Sequence, residues 1–265
     1  MDGNGLNPGG RVFYVETGRE ADLFTTAWKA RLPVLLKGPT GCGKTRFVEY
    51  MADRLGQPMI TVACNEDTTA TDLLGRHLLL GGETRWVDGP VTRAVRAGAI
   101  LYLDEVAEAR ADALVVIHSL TDHRRELFLD RTGETVKAPP GFLLVVSFNP
   151  GYQRSLRELK PSTRQRFVGL AFTHPEADVE ARILLGETGI AADTARKLVQ
   201  IARKVRTLTE LALLETVSTR LLVDAALLIV HGLPPRFAAH VAIAEPLTDD
   251  ADALAAIRQV IDLIL

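Results

Sequence analysis

The stretch RLPVLLKGPTGCGKTRFVEYMADRL, Arg31–Leu55, decides how this chain folds. Its first part, Arg31–Lys37, is a short apolar run and reads as a buried strand. Its last part, Arg46–Leu55, puts Phe47, Val48 and Met51 on one helical face and stops near Gly56 and Pro58. Between them lies Gly38-Pro39-Thr40-Gly41-Cys42-Gly43-Lys44-Thr45, a G-x-x-x-x-G-K-[ST] pattern set after a strand and before a helix. Glycines let the backbone wrap closely and turn its N–H groups inward onto phosphate oxygens. The helix that follows adds its positive N-terminal end. Lys44 is predicted to reach the β- and γ-phosphates and the Thr45 hydroxyl to ligate magnesium, so ATP and Mg2+ are the expected cofactors. The bland alternative is a glycine turn that happens to precede Lys-Thr, and the flanking strand and helix argue against it.

Outward from this loop the pattern repeats. Met59–Ala63 reads as a second strand, Ala99–Leu103 as a third, Phe142–Phe148 as a fourth and Phe167–Phe172 as a fifth, with a helix over Ala111–Thr121. Apolar strands alternating with helices predict an α/β fold with a parallel sheet covered on both faces. The third strand ends in Asp104-Glu105. An acidic pair at the C-terminal edge of such a sheet lies where the phosphate loop lies. Asp104 is expected in the magnesium shell, and Glu105 is the candidate to polarise an attacking water. The fourth strand ends in Asn149-Pro150, and an amide there is placed to orient that water or touch the γ-phosphate. By itself it reads more readily as a turn-forming Asn before Pro. Two segments interrupt the rhythm. Leu78–Val87, around Gly81-Gly82, and Leu127–Val136, around Asp130–Gly133, each read as a hairpin inserted into the core. Trp86 is either an exposed contact near a tip or a packed side chain.

Beyond Pro175 the strand-like runs give way to helical periods. Ala195, Leu198, Ala202 and Val205 form one and Leu254, Ile257, Ile261 and Ile264 another, with Thr219–His231 and Arg236–Ala244 between them. The expected division is a tail over residues 1–12, an α/β nucleotide-binding domain over 13–175 and a helical lid over 176–265. Three arginines stand out. Arg164 and Arg166, in PSTRQRF, precede the fifth strand, where a subunit-edge arginine can neutralise transition-state charge in a neighbour's site. Arg220, in Ser218-Thr219-Arg220, heads a helix from which phosphates can be reached. Each has the ordinary alternative of a surface arginine.

Bulk properties narrow the class. With 47% hydrophobic and 24% charged residues the chain is ordinary for a folded protein. A net charge of −2 lacks the basic excess of a protein that lives on nucleic acid, so no nucleic-acid partner is expected. Two cysteines, Cys42 and Cys64, make neither a disulfide framework nor a metal site, and a reducing cytoplasm is the expected setting. No stretch approaches the roughly 20 apolar residues of a membrane span, so no membrane role is expected.

The order GPTGCGKT, ILYLDE, VVSFNP, PSTRQRF and a helical domain containing STR resembles a AAA+ ATPase. The two hairpins are similar to those of the MoxR branch. The wording TDLLGRHLL, WVDGPVTRAVRAGAILYLDEV and FNPGYQRSLRELKPSTRQRF resembles the CbbQ/NorQ/NirQ group, from about Phe13 onward. That resemblance implies Walker A roles for Lys44 and Thr45, Walker B roles for Asp104 and Glu105, and the first sensor at Asn149. It implies a trans arginine finger at Arg166, with Arg164 second, and the second sensor at Arg220. It further implies a homo-oligomeric, hexameric ring. The implied partner bears a von Willebrand A domain, like CbbO, and is expected as a separate chain. The implied client is Rubisco, freed of inhibitory sugar phosphates, with nitric oxide reductase as the alternative. In this resemblance the hairpins face the ring's centre or a partner.

Three other classes remain from the residues alone. A small-molecule kinase would need an acceptor lid and no trans arginine. A nucleotide-gated scaffold would bind ATP and hardly turn it over. A DNA-loading ATPase would show salt-sensitive DNA binding.

Overall fold

A computed structural model describes residues 12–149, 159–208, 213 and 215–265. The chain forms two compact units. One comprises Gly18–Gly38 and Lys44–Ala171; the other comprises residues 12–17, the loop apex Pro39–Gly43 and Phe172–Leu265.

The first unit opens with α1 (Glu20–Ala30), β1 (Val34–Lys37), α2 (Lys44–Leu55) and β2 (Met59–Ala63). Next come α3 (Ala70–Leu74), β3 (Gly75–Leu80), β4 (Glu83–Asp88), α4 (Pro90–Ala97) and β5 (Ile100–Asp104). It closes with α5 (Ala111–His118), β6 (Glu126–Leu129), β7 (Glu134–Lys137), β8 (Leu143–Phe148), α6 (Pro161–Arg164) and β9 (Val168–Ala171). Among the described residues the five-stranded sheet runs β2-β5-β8-β1-β9 with every pairing parallel. Parallel strands put all their C-terminal ends on one edge. Lys37, Asp104 and Phe148, with the residues after them, therefore open onto the same side.

Alternation sorts the sheet's side chains. Leu35, Leu101, Leu103, Leu144 and Val146 pack with Val91, Ala94, Val95, Ala113 and Ile117 of α4 and α5. On the opposite face α1 and α2 meet through Phe24 and Phe47, edge to face at 5.5 Å. Both faces are covered, so the strands are almost wholly apolar.

The structure corrects several sequence-based bounds. Arg31 and Leu32 lie before the first strand: Arg31 closes α1 in the left-handed conformation, with φ 58°, and Leu32 is exposed. The helix expected over Ala111–Thr121 ends at His118. Helix α4 carries start and stop signals that the sequence reading passed over, Pro90 at its first turn and Gly98 at φ 67° just beyond its end. The two inserted hairpins form as expected, with longer arms. β3 and β4 pair antiparallel across Gly81 and Gly82, whose φ values of 59° and 85° suit a tight two-residue turn. β6 and β7 pair likewise. Trp86 takes the packed alternative. It stands edge to face with His77 and donates to Asp88 at 2.7 Å.

The second unit holds α7 (Ala177–Thr188), α8 (Ala192–Arg206), α9 (Thr219–Val230), α10 (Pro235–Ala239) and α11 (Ala251–Ile264). Their apolar stripes bury Leu184, Leu198, Ile201, Leu222, Ile257 and Ile261 in one core. The helix expected over Arg236–Ala244 is interrupted. After Ala239 the backbone widens into a π-turn over His240–Ala244, which still buries Ile243. Among the described residues no helix is long and apolar enough to cross a membrane.

Candidate functional site

The loop Gly38–Thr45 leaves β1 and enters α2. Gly41 and Gly43 take φ values of 67° and 96°, which side-chain-bearing residues resist. Such turns aim successive N–H groups into one concavity suited to an anion. Lys44 is the first residue of α2, and its ammonium donates to the Gly38 carbonyl at 2.9 Å, across the mouth of the loop. Pro39 and Thr40 are half-buried and Cys42 is buried.

Thr45 and Asp104 come from α2 and the end of β5. The Thr45 hydroxyl donates to Asp104 Oδ2 at 3.2 Å. A hydroxyl and a carboxylate side by side are hard oxygen donors of the kind magnesium prefers. The residues present therefore fit a magnesium-bound nucleotide: a glycine-rich turn, a lysine and an oxygen pair. The other carboxylate oxygen, Oδ1, accepts from Tyr102 at 2.7 Å and from the Ser147 hydroxyl. Tyr102 also lies 3.3 Å from the Thr45 hydroxyl. Burial, then the Asp104 charge, pushes the Tyr102 phenol above its usual range, so it remains a hydrogen-bond donor. Cys64, after β2, is buried near the same carboxylates. Burial first, then Asp104 and Glu105, push its thiol up to about 12.

Glu105 follows directly and is exposed. Its φ of 53° is unusual for a non-glycine residue. Its N–H donates to the Ser147 hydroxyl at 2.9 Å. Asn149 follows β8 on the same sheet edge and is half-buried. The structure thus brings Lys44, Thr45, Asp104, Glu105 and Asn149 to one edge.

The arginines differ in their surroundings. Arg164 ends α6 with its guanidinium 5.1 Å from the centre of the Phe148 ring. Arg166 is exposed, and after burial its charge is the next cause holding the His118 pKa below the usual histidine value. Arg154 and Arg157, in the same charged stretch FNPGYQRSLRELKPSTRQRF, lie outside the described residues. In the other unit Arg220 is exposed on the first turn of α9, and Ser218 caps that helix by accepting from Leu221 N–H. Within the same unit Thr40 donates to Glu215 at 3.1 Å. A β-carbon on Gly41 would fall 2.6 Å from Ser218.

Sequence reasoning missed Tyr102, Ser147, Glu215 and Ser218. The first two left a faint signal, as hydroxyls in the otherwise apolar runs AILYL and LLVVSF. Ser218 left a helix-start signal, as the serine of Ser218-Thr219-Arg220, and Glu215 left none.

Residues 33–167 match the AAA domain (dynein-related subfamily), and residues 180–264 match the CbbQ/NirQ/NorQ C-terminal family. The denitrification regulatory protein NirQ of Pseudomonas aeruginosa is 59% identical, over 95% of this chain and 96% of that one. Protein NorQ of Paracoccus denitrificans is 56% identical over 93% and 91%. Protein CbbQ of Hydrogenophilus thermoluteolus is 54% identical over 93% and 92%. A crystal structure from Cytophaga hutchinsonii, 17% identical, shares the fold with a TM-score of 0.52 over 94% of this chain and 89% of that one.

Proposed function

The chain belongs to the CbbQ/NirQ/NorQ family of AAA+ ATPases, and on that premise we propose that it is a motor that hydrolyses ATP to remodel a client enzyme. The observation that carries the proposal is the 3.2 Å contact between the Thr45 hydroxyl and Asp104 beside the glycine loop. The N–H groups of Thr40–Thr45 hold phosphate oxygens, and Lys44 leaves the Gly38 carbonyl to meet the β- and γ-phosphates. Thr45 and Asp104 hold magnesium, which when bound neutralises developing charge on those phosphates. Glu105 takes a proton from the attacking water, and Asn149 orients that water.

Arg166 acts in trans, at the site of the next copy in a hexameric ring. Its exposure supports this, whereas Arg164 is engaged with Phe148. Arg220 takes the second-sensor role that the family resemblance implies. Replacing Glu105 with Gln is expected to leave ATP binding intact and abolish turnover; unchanged turnover would sink the assignment. Mixing Arg166→Ala protein with wild type is expected to depress turnover more than dilution does. A monomeric kinase would show no such interference.

The motor works through a von Willebrand A domain partner, like CbbO, supplied as a separate chain. Rubisco is the first client. A denitrification enzyme, nitric oxide reductase, is the second, supported by the 59% and 56% identity to NirQ and NorQ. Purified motor and partner, offered inhibited Rubisco and inactive nitric oxide reductase in parallel, separate the two. Restored activity in one assay alone names the client.

A further inference from the structure

Ser147 is buried to 0% exposure in β8, the polar member of the run LLVVSF. Its hydroxyl sits between Asp104, which ends the neighbouring strand β5, and Glu105, which follows it. It donates to Asp104 Oδ1 and accepts from the Glu105 N–H at 2.9 Å. One oxygen thus spends its proton on one acidic residue and a lone pair on the backbone of the next. Tyr102, also at 0% exposure, donates to the same Oδ1 at 2.7 Å.

Two consequences follow from the geometry. With Oδ1 taken by two hydroxyls, the Asp104 carboxylate cannot rotate without breaking both bonds, and Oδ2 is held toward Thr45. Glu105, at φ 53°, occupies a conformation costly to a residue with a side chain. The bond from its N–H to Ser147 gives the turn a partner that a simple strand end would lack. The direction in which the Glu105 side chain leaves the backbone is set by that turn.

We propose that Ser147 is a positioning residue for both acidic groups, setting the Asp104 carboxylate toward the magnesium site and holding the Glu105 backbone turn from which its carboxylate reaches the attacking water, with Tyr102 assisting at Asp104 alone. The proposal rests on the nucleotide site described above. It adds that β8, which Asn149 directly follows, fixes the whole acidic edge through one hydroxyl.

The test uses the full chain with Ser147→Ala, Ser147→Thr and Tyr102→Phe. Three quantities are read: kcat and KM for ATP, affinity for a fluorescent ATP analogue with Mg2+ and with EDTA, and the thermal midpoint. For Ser147→Ala, kcat is expected to fall roughly tenfold or more, as loss of a charge-assisted bond implies. The affinity gained on adding Mg2+ should shrink, while affinity in EDTA stays within about twofold. Ser147→Thr should restore both, because it keeps the hydroxyl. Tyr102→Phe should reduce the Mg2+-dependent gain with a smaller loss in kcat, since it does not touch Glu105. Wild-type kcat in Ser147→Ala, equal damage in Ser147→Ala and Ser147→Thr, or a parallel loss of affinity in EDTA overturns the proposal. If the wild type binds nucleotide without turning it over, the ATPase reading fails, and the Mg2+-dependent affinities still decide the role of Ser147.

Discussion

Arg206 grips the carboxylate of Glu180 through two hydrogen bonds, 2.7 and 2.9 Å, inside the helical unit. Glu180 is wholly buried and the Arg206 side chain is 13% exposed. Thr219, the first residue of α9, donates to the same carboxylate at 2.7 Å, and Arg206 also donates to the Val217 carbonyl at 2.8 Å. The pair therefore ties α7 and α8 to the turn that presents Ser218, Thr219 and Arg220.

Arg206→Met is expected to destabilise the chain by about 3–5 kcal/mol, because it strands a buried carboxylate. Denaturant unfolding measures this. Replacing both members with apolar residues of similar volume should recover most of the loss, since neither charge is then left unpaired.

His174 lies beside the same pair. Burial, then the charge of Arg206, lowers its pKa below the usual 6.5, against a smaller opposing pull from Glu180. The unfolded chain therefore binds a proton more readily than the folded one. Stability is full above about pH 6.5 and is lost as pH falls toward the depressed folded value. His174→Phe is expected to flatten this part of the stability profile, read as thermal midpoint against pH from neutral into the acid range.

Gly41→Ala combines two costs. The residue has φ 67°, and the added β-carbon would meet Ser218 at 2.6 Å. Nucleotide affinity is expected to drop roughly tenfold or more, because the loop must shift from its phosphate-ready path. Gly133→Ala, at φ 69° with open space around it, serves as the control. It should cost about 1 kcal/mol of stability and leave nucleotide affinity unchanged.

Arg96 of α4 joins the two inserted hairpins. It donates to Asp88 at the foot of β4 at 2.8 Å, and to both oxygens of Glu134 on β7 at 2.7 and 2.6 Å. The groups are substantially exposed, so Arg96→Met should cost only about 1 kcal/mol. Amide exchange in β6 and β7 should nevertheless speed up, while ATP turnover is retained. Unchanged exchange would show that the hairpins hold their places without this bridge.

Much of the candidate site was legible because its members sit close together in the chain or at strand ends. Gly38–Thr45 is a continuous loop, and Asp104-Glu105 and Asn149 end apolar runs whose direction a parallel sheet dictates. The hairpins were legible from Gly81-Gly82 and Asp130–Gly133, which supply the turn chemistry. The boundaries at Arg31, His118 and Ala239 were not. Each depends on capping or packing that apolar periodicity does not record.

The sequence by itself determined the α/β fold with its parallel sheet, the helical second part, the phosphate loop and the family. These follow from local pattern: the glycine spacing, the alternation of apolar runs, and the quoted strings. Only the tertiary structure decided how the Asp104 and Glu105 that end the third apolar run are held. Ser147 meets them from a strand some 40 residues away, and that meeting exists only because β5 and β8 pair in one register. A slip of one residue would turn the hydroxyl to the other face of the sheet. No spacing within Phe142–Phe148 states which face that is, so the loop and the acidic pair can be read from the chain, and the hydroxyl that aligns the pair cannot.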